Sequence, residues 1–239
     1  MWLLASSTRS TPADGASGTD FRGRRGLHLI DATSGAVSPL ALTERPDELK
    51  RAPAWSPDGS KVYYQHRSEG SGASASAMDG TRDAVVEVDL ASGRERTVIR
   101  RGGLWDFWLA PDGQTMVVRT WDGPLTSMPT PVLVLVPVAG GPVTELRRAA
   151  PDEVIGVWSW APDSRSVYVS VIGERGQADG TSILRVPVDA GKPAVAVDIG
   201  LDASFSAPRL SPDGTHLALL VRQPDRPSEV WTLRTVLSR

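Results

Sequence analysis

The chain has 239 residues, 40% of them hydrophobic, and its 26 basic and 28 acidic side chains leave a formal net charge of −2. That length and apolar content suffice for one sizeable core, and a near-neutral balance gives no global attraction to nucleic acid or to an anionic membrane. There is no cysteine, which excludes disulfides and thiolate metal sites and leaves the compartment undecided, and no run of about 18 apolar residues is available to cross a bilayer as a helix.

Read from the N-terminus, Met1-Trp2-Leu3-Leu4-Ala5-Ser6 looks superficially like a signal peptide. It lacks a charged leading region, sufficient apolar length and a cleavage pattern. It reads better as a strand, in the register that returns as Met116-Val117-Val118. A polar loop over 8–25 follows. Then Leu27-His28-Leu29-Ile30-Asp31-Ala32-Thr33-Ser34-Gly35 parallels Val86-Glu87-Val88-Asp89-Leu90-Ala91-Ser92-Gly93.

Next comes Trp55-Ser56-Pro57-Asp58-Gly59, leading into Val62-Tyr63-Tyr64. The phrase returns as Leu109-Ala110-Pro111-Asp112-Gly113, Trp160-Ala161-Pro162-Asp163-Ser164 and Leu210-Ser211-Pro212-Asp213-Gly214. Asp58, Asp112, Asp163 and Asp213 stand 54, 51 and 50 residues apart, a period that marks a repeat architecture. Pro presets φ for a tight turn, Asp accepts from backbone N–H groups just beyond itself, and Gly takes the positive φ that closes the turn. Ser164 fits that last position less well. A large apolar residue precedes each turn and an apolar strand follows it, so each motif predicts a β-hairpin. A second hairpin completes each period. Its strands include Val85–Val88, Val132–Val136, Ile183–Val186 and Val230–Leu233, and the first three turn back at Gly93, Gly140-Gly141 and Gly191.

Two hairpins per period make a four-stranded antiparallel blade. The predicted fold is all-β, a β-propeller of four to five blade units. They form a partial blade over 1–45, blades over 50–100, 104–147 and 154–199, and a partial blade over 204–237. The innermost strand is missing from the first unit and the outermost from the last. This predicts a piece of a larger propeller or a mis-started reading frame; the alternative is an imperfect five-blade ring. The S-P-D-G phrase resembles the repeats of TolB-type translocation proteins and the propeller domains of prolyl-oligopeptidase-like peptidases. The resemblance covers nearly the whole chain and speaks to fold more than to function. It implies a non-catalytic scaffold that offers its loop-rich face to a protein or peptide partner, in the periplasm or cell envelope. It equally admits a substrate-gating propeller cut off before a hydrolase domain. A third option is a sugar or small-molecule binder with a central funnel lined by Trp105 and Trp121.

The four repeated Asp residues read as turn formers, each consumed by its own turn, so no metal is expected there. No G-x-S-x-G elbow occurs, and His28, His66 and His216 lack zinc-type spacing. No enzyme activity and no cofactor are therefore expected, nor any nucleic-acid partner or membrane insertion. The candidate binding residues lie where strands meet the long loops: Trp105 and Asp106, Trp121, Arg51, His66 and Arg67. Trp is suited to stacking and interface anchoring. Arg45, Arg51, Arg67, Arg100 and Arg101 make this rim basic, offset by Glu44, Asp47 and Glu48; the bland alternatives are inter-blade Trp packing and a solvated mixed rim. Unpaired blade edges would drive association. Light scattering on the purified chain checks this: open edges predict a concentration-dependent oligomer or an uptake of flanking chain, and a self-sufficient arc predicts a monomer near 25.5 kDa.

Overall fold

The computed structural model describes residues 2–9, 24–40, 48–68, 83–122, 130–151, 153–172, 181–189, 191–199, 204–211, 213–222 and 229–234. Those residues form eighteen strands and no helix. The first sheet joins β1 (Trp2–Arg9), β2 (Arg24–Asp31) and β3 (Val37–Pro39). The second joins β4 (Glu48–Trp55), β5 (Lys61–Ser68), β6 (Asp83–Asp89) and β7 (Glu95–Arg100). The third joins β8 (Leu104–Leu109), β9 (Thr115–Asp122), β10 (Thr130–Pro137) and β11 (Thr144–Arg148). The fourth joins β12 (Val154–Trp160), β13 (Ser166–Ile172), β14 (Thr181–Pro187) and β15 (Val195–Val197). The fifth joins β16 (Ser204–Leu210), β17 (His216–Arg222) and β18 (Glu229–Arg234). Strands follow sequence order within each sheet, and the pairs are antiparallel meanders. The blades are thus four-stranded in the middle of the chain and three-stranded at each end among the described residues. The chain divides into two compact units, 1–107 and 108–239, with the division inside β8.

Each strand sends alternate side chains to opposite faces, and here both faces are apolar. In the second unit Val167, Val169 and Val171 pack with Val117 and Leu133 of the third sheet. Tyr168, on the same strand, packs with Leu217, Leu219 and Val221 of the fifth. In the first unit Tyr64, Ala84, Val86 and Val88 gather around Leu27 of the first sheet. Each fully buried Val or Leu contributes about 1.5–3 kcal/mol, so the core is a series of slabs between sheets.

The repeated motif builds the same turn four times. Asp58 Oδ1 accepts from the Ser60 N–H at 3.0 Å, Asp112 from Gln114 at 2.9 Å, Asp163 from Arg165 at 3.0 Å and Asp213 from Thr215 at 3.0 Å. The residue after each Asp has positive φ, from 59° at Ser164 to 72° at Gly59 and Gly214. Gly214 meets a second demand, because a Cβ there would lie 2.8 Å from Pro162 Cγ. Where the motif begins with Ser, the hydroxyl adds bonds: Ser56 Oγ donates to Asp58 at 2.6 Å and accepts from the Lys61 N–H at 2.9 Å. Ser211 does the same with Asp213 and His216.

One regular feature lies outside the sequence expectation. β4, β12 and β16 each carry a register shift, between Arg51 and Ala54, Val157 and Ser159, and Ser206 and Arg209. These are β-bulges just before the motif. In two of them the extra residues are Ala52-Pro53 and Ala207-Pro208, and a bulge is where a strand tolerates a residue without an N–H. The strand pattern breaks there, so 42–52 reads as the link between blades although β4 begins at Glu48. In β12 the bulge puts Trp158 against the fifth sheet while Trp160 packs toward the third.

The Asp58 carboxyl is held at about 2 by the Ser56 hydroxyl first, then by the Ser60 N–H and hydroxyl. Asp213 is likewise held at about 2, by Ser211 and then Thr215. A carboxylate whose folded pKa is depressed stabilises the fold above its unfolded value and loses that stabilisation as pH falls through the folded value. Acid unfolding therefore draws on both groups between about pH 4 and pH 2. The double variant Asp58→Asn with Asp213→Asn is expected to show a shallower decline of denaturation midpoint over that window than the parent chain.

Candidate functional site

The polar residues at the loop-bearing end of the second sheet are arranged by strand register. Lys50, His66, Ala84 and Arg100 are cross-strand partners in one row; Arg51, Gln65, Val85 and Ile99 form the next. Leu49, Arg67 and Asp83 form a third. Alternation then places Arg51, Gln65, Arg67 and Asp83 on one face and Lys50 and His66 on the other. On that other face lie Ala84 and Tyr64 of the cluster around Leu27.

Gln65 organises the first face. It is completely buried. Its Oε1 accepts from Arg51 Nε at 2.9 Å and its Nε2 donates to the Leu104 carbonyl at 2.9 Å. Arg51 Nη2 donates to the Trp105 carbonyl at 2.9 Å. The guanidinium carbon stands 5.9 Å from the centroid of the Trp105 ring, within reach of a cation–π attraction. Trp105 itself is 42% exposed. The result is a guanidinium fixed at two points beside an accessible indole.

Asp83 is 2% exposed and ion-paired with Arg67, Nε to Oδ1 at 3.5 Å. Its carbonyl accepts from the Arg101 N–H at 3.0 Å. Burial pushes its carboxyl up, and the opposing pull of Arg67, Arg51 and His66 does not cancel that rise. Further along the same face Glu87 is also buried, yet it is fully engaged. Tyr63 donates to it at 3.0 Å, Lys61 at 3.1 Å and Arg96 at 2.8 Å. Burial raises its carboxyl, but Arg96, Lys61 and Tyr63 outweigh this and the net shift is downward. The Tyr63 hydroxyl is pushed up by burial and then by Glu87. We read Glu87 as a structural clamp of β5, β6 and β7, with no open valence for a ligand.

Of the sequence candidates, the fold brings Arg51, Arg67 and Trp105 together. It turns His66 to the opposite face, because neighbours on a strand point opposite ways. Asp106 follows Trp105 on β8 and is half-buried. Trp121 belongs to the second unit, in register with Pro131. The adjacent Asp122 is paired there with Arg148 at 2.7 Å. Asp58, Asp112, Asp163 and Asp213 serve their turns, and His28, His66 and His216 lie on β2, β5 and β17 of three separate sheets. Arg45, Glu44, Asp47 and Asp152 lie outside the described residues. No group of three or more His, Asp or Glu side chains that could hold a metal ion occurs among the described residues. No helix there is long and apolar enough to cross a membrane. Sequence reasoning missed Gln65 and Asp83. Gln65 had a signal, as a polar residue continuing the apolar run Val62-Tyr63-Tyr64 of a buried strand.

No family model and no curated protein matches this sequence. Solved structures do match its fold. TolB from Acinetobacter baumannii is 19% identical with a TM-score of 0.65, over 97% of this chain and 50% of that one. Oligogalacturonate lyase from Vibrio parahaemolyticus is 15% identical with a TM-score of 0.65, over 88% of this chain and 57% of that one. The acylaminoacyl peptidase of Pyrococcus horikoshii is 12% identical with a TM-score of 0.57, over 87% of this chain and 33% of that one. The fold is a β-propeller, similar to TolB and to peptidase propellers. The chain spans about half the length of the first two structures.

Asp83 carries a pH signature opposite to that of Asp58. Its raised folded pKa means that the native state holds its proton more tightly than the unfolded chain does. Its contribution to stability therefore falls as pH rises from about 4 through the folded value. Asp83→Asn is expected to remove that decline, so the parent-to-variant difference in denaturation midpoint grows in the variant's favour from pH 4 upward. A difference that stays flat with pH would show that burial does not govern this carboxyl.

Proposed function

We propose that the chain is a non-catalytic propeller scaffold that binds a protein or peptide partner through the loop-bearing ends of its blades, with Trp105 and Arg51 at the centre of the contact. One observation carries the reading: an exposed indole stands beside an arginine already immobilised by Gln65 and a backbone carbonyl. Trp and Arg dominate the energetics of interfaces, and a side chain held before binding loses little entropy on binding. The similarity to TolB supports a scaffold role and a place in the cell envelope. No cofactor is required by this reading. Arg67 and Asp106 belong to the flank of the same contact, with His66 behind it.

The similarity to the acylaminoacyl peptidase supports a second reading, a propeller that gates substrate to a hydrolase domain. An adjoining coding sequence with a G-x-S-x-G elbow followed by Asp and His would favour it.

The test is site-specific photo-crosslinking in the native host. A photoreactive residue at Trp105 is expected to yield a discrete partner adduct, whereas one at Pro57, in the turn at the other end of the second blade, is not. Trp105→Ala should weaken the recovered complex by about 2 kcal/mol, roughly 30-fold. Equal labelling from both positions, or none from Trp105, would overturn the assignment of this face.

A further inference from the structure

We infer that the partner presents a carboxylate to this face: an acidic peptide segment whose Asp or Glu side chain lands on the outer edge of the Arg51 guanidinium while a neighbouring apolar residue covers Trp105. The inference rests on the scaffold reading above and names the chemistry of its partner. A guanidinium offers five N–H donors in a planar fork. The protein uses its Nε and one Nη2 position, for Gln65 and for the Trp105 carbonyl. Both lie along the side edge. The end edge, formed by Nη1 and the second Nη2 hydrogen, meets no acceptor among the described residues. That edge has the spacing of a bidentate carboxylate, and its plane is already set by the two bonds behind it.

Charge points the same way. At this end of the face the described residues place two guanidiniums, Arg51 and Arg67, against the carboxylate of Asp83, which is buried beneath Arg67; Glu87, further along, is already engaged by Lys61 and Arg96. Arg101 follows at the strand end, its N–H on the Asp83 carbonyl. The chain as a whole is slightly acidic, at −2, so this cationic excess is local and suits an anionic partner group. An acidic sugar would also offer a carboxylate, but it needs an open aromatic face to stack on. Arg51 already stands over one face of the Trp105 ring at 5.9 Å, which disfavours stacking of a sugar on that face, and the indole is 42% exposed.

The experiment is selection of a random dodecapeptide library on the immobilised full chain, followed by fluorescence anisotropy of the selected peptides. The selected pool is expected to be enriched in Asp and Glu. Replacing those residues by Asn and Gln should weaken binding about tenfold or more, as should Trp105→Ala and Arg51→Gln. Arg51→Lys should recover only part of the loss, since it restores charge without the fork. Binding should also weaken as salt rises from about 50 to 300 mM. Trp105→Ala alters an exposed side chain and keeps the test valid if Arg51→Gln perturbs the strand. A selected pool without carboxylate enrichment, yet sensitive to Trp105→Ala, would overturn the inference and leave the scaffold reading standing. Selected peptides indifferent to both variants would overturn both. So would recovery of no peptide together with Arg51-dependent binding of an oligogalacturonide.

Discussion

The middle sheets of this chain must cover both of their faces, and much of the rest of the structure follows from that constraint. A sheet with one wet face alternates apolar and polar residues. Here the middle strands run Val62-Tyr63-Tyr64, Met116-Val117-Val118 and Val167-Tyr168-Val169, all buried. Tyr168 and Val169 are neighbours in sequence, yet they pack against different sheets. No blade can be stable alone on these terms, since half of its apolar surface belongs to a neighbour. A buried amide in such a strand costs free energy unless both its oxygen and its nitrogen find hydrogen-bond partners. Gln65 meets that condition, and in meeting it the fold acquires a fixed arginine.

Register is the second requirement, because a slip of one residue exchanges the two faces. The turn motif and the bulge just before it fix the register of β4, β12 and β16. Asp at the turn holds the chain reversal by accepting the N–H two residues on. The bulge resets the alternation a few residues earlier, so that Trp160 and Val157 reach the same slab although three positions apart. The one non-glycine residue at the turn's left-handed position has a local offset. Ser164 has φ +59°, which costs about 1 kcal/mol for an L-residue. Its hydroxyl accepts from the Asp112 N–H at 3.0 Å, a bond worth about 0.5–1.5 kcal/mol. A change to Gly at this position would relieve the first and lose the second.

The fold was legible because turn chemistry is local. Pro, Asp and Gly announce themselves within five residues, and their period of about fifty counts the blades. The bulges were not legible, since an Ala-Pro pair inside a strand reads as the end of one. That is why the sequence places Lys50 and Arg51 near a linker when both lie in β4. The candidate site was legible in part for the same reason. Arg51, Arg67 and Trp105 are recognisable by type and by their distance from the turn. Whether His66 shares their face depends on a register that only pairing decides, and the fold puts it on the other side. Gln65 and Asp83 act through burial, which composition does not show.

The two carboxylates that shift in opposite directions show how the blade separates a stabilising charge from a costly one. Asp58 is solvent-exposed at the turn, its Oδ1 accepting from the Ser56 hydroxyl and the Ser60 N–H, and its charge favours the fold. Asp83 lies beneath Arg67 at the other end of the same strands, and its charge opposes burial. A fold selected for stability alone would place an apolar residue at the start of β6 and let Arg67 extend into water. Retaining Asp83 holds Arg67 against the sheet, so that the Arg51 face carries its cations in fixed positions rather than on mobile stems. The turn end of the blade thus supplies the rigidity, and the loop end uses it to keep an electrostatically costly arrangement in place.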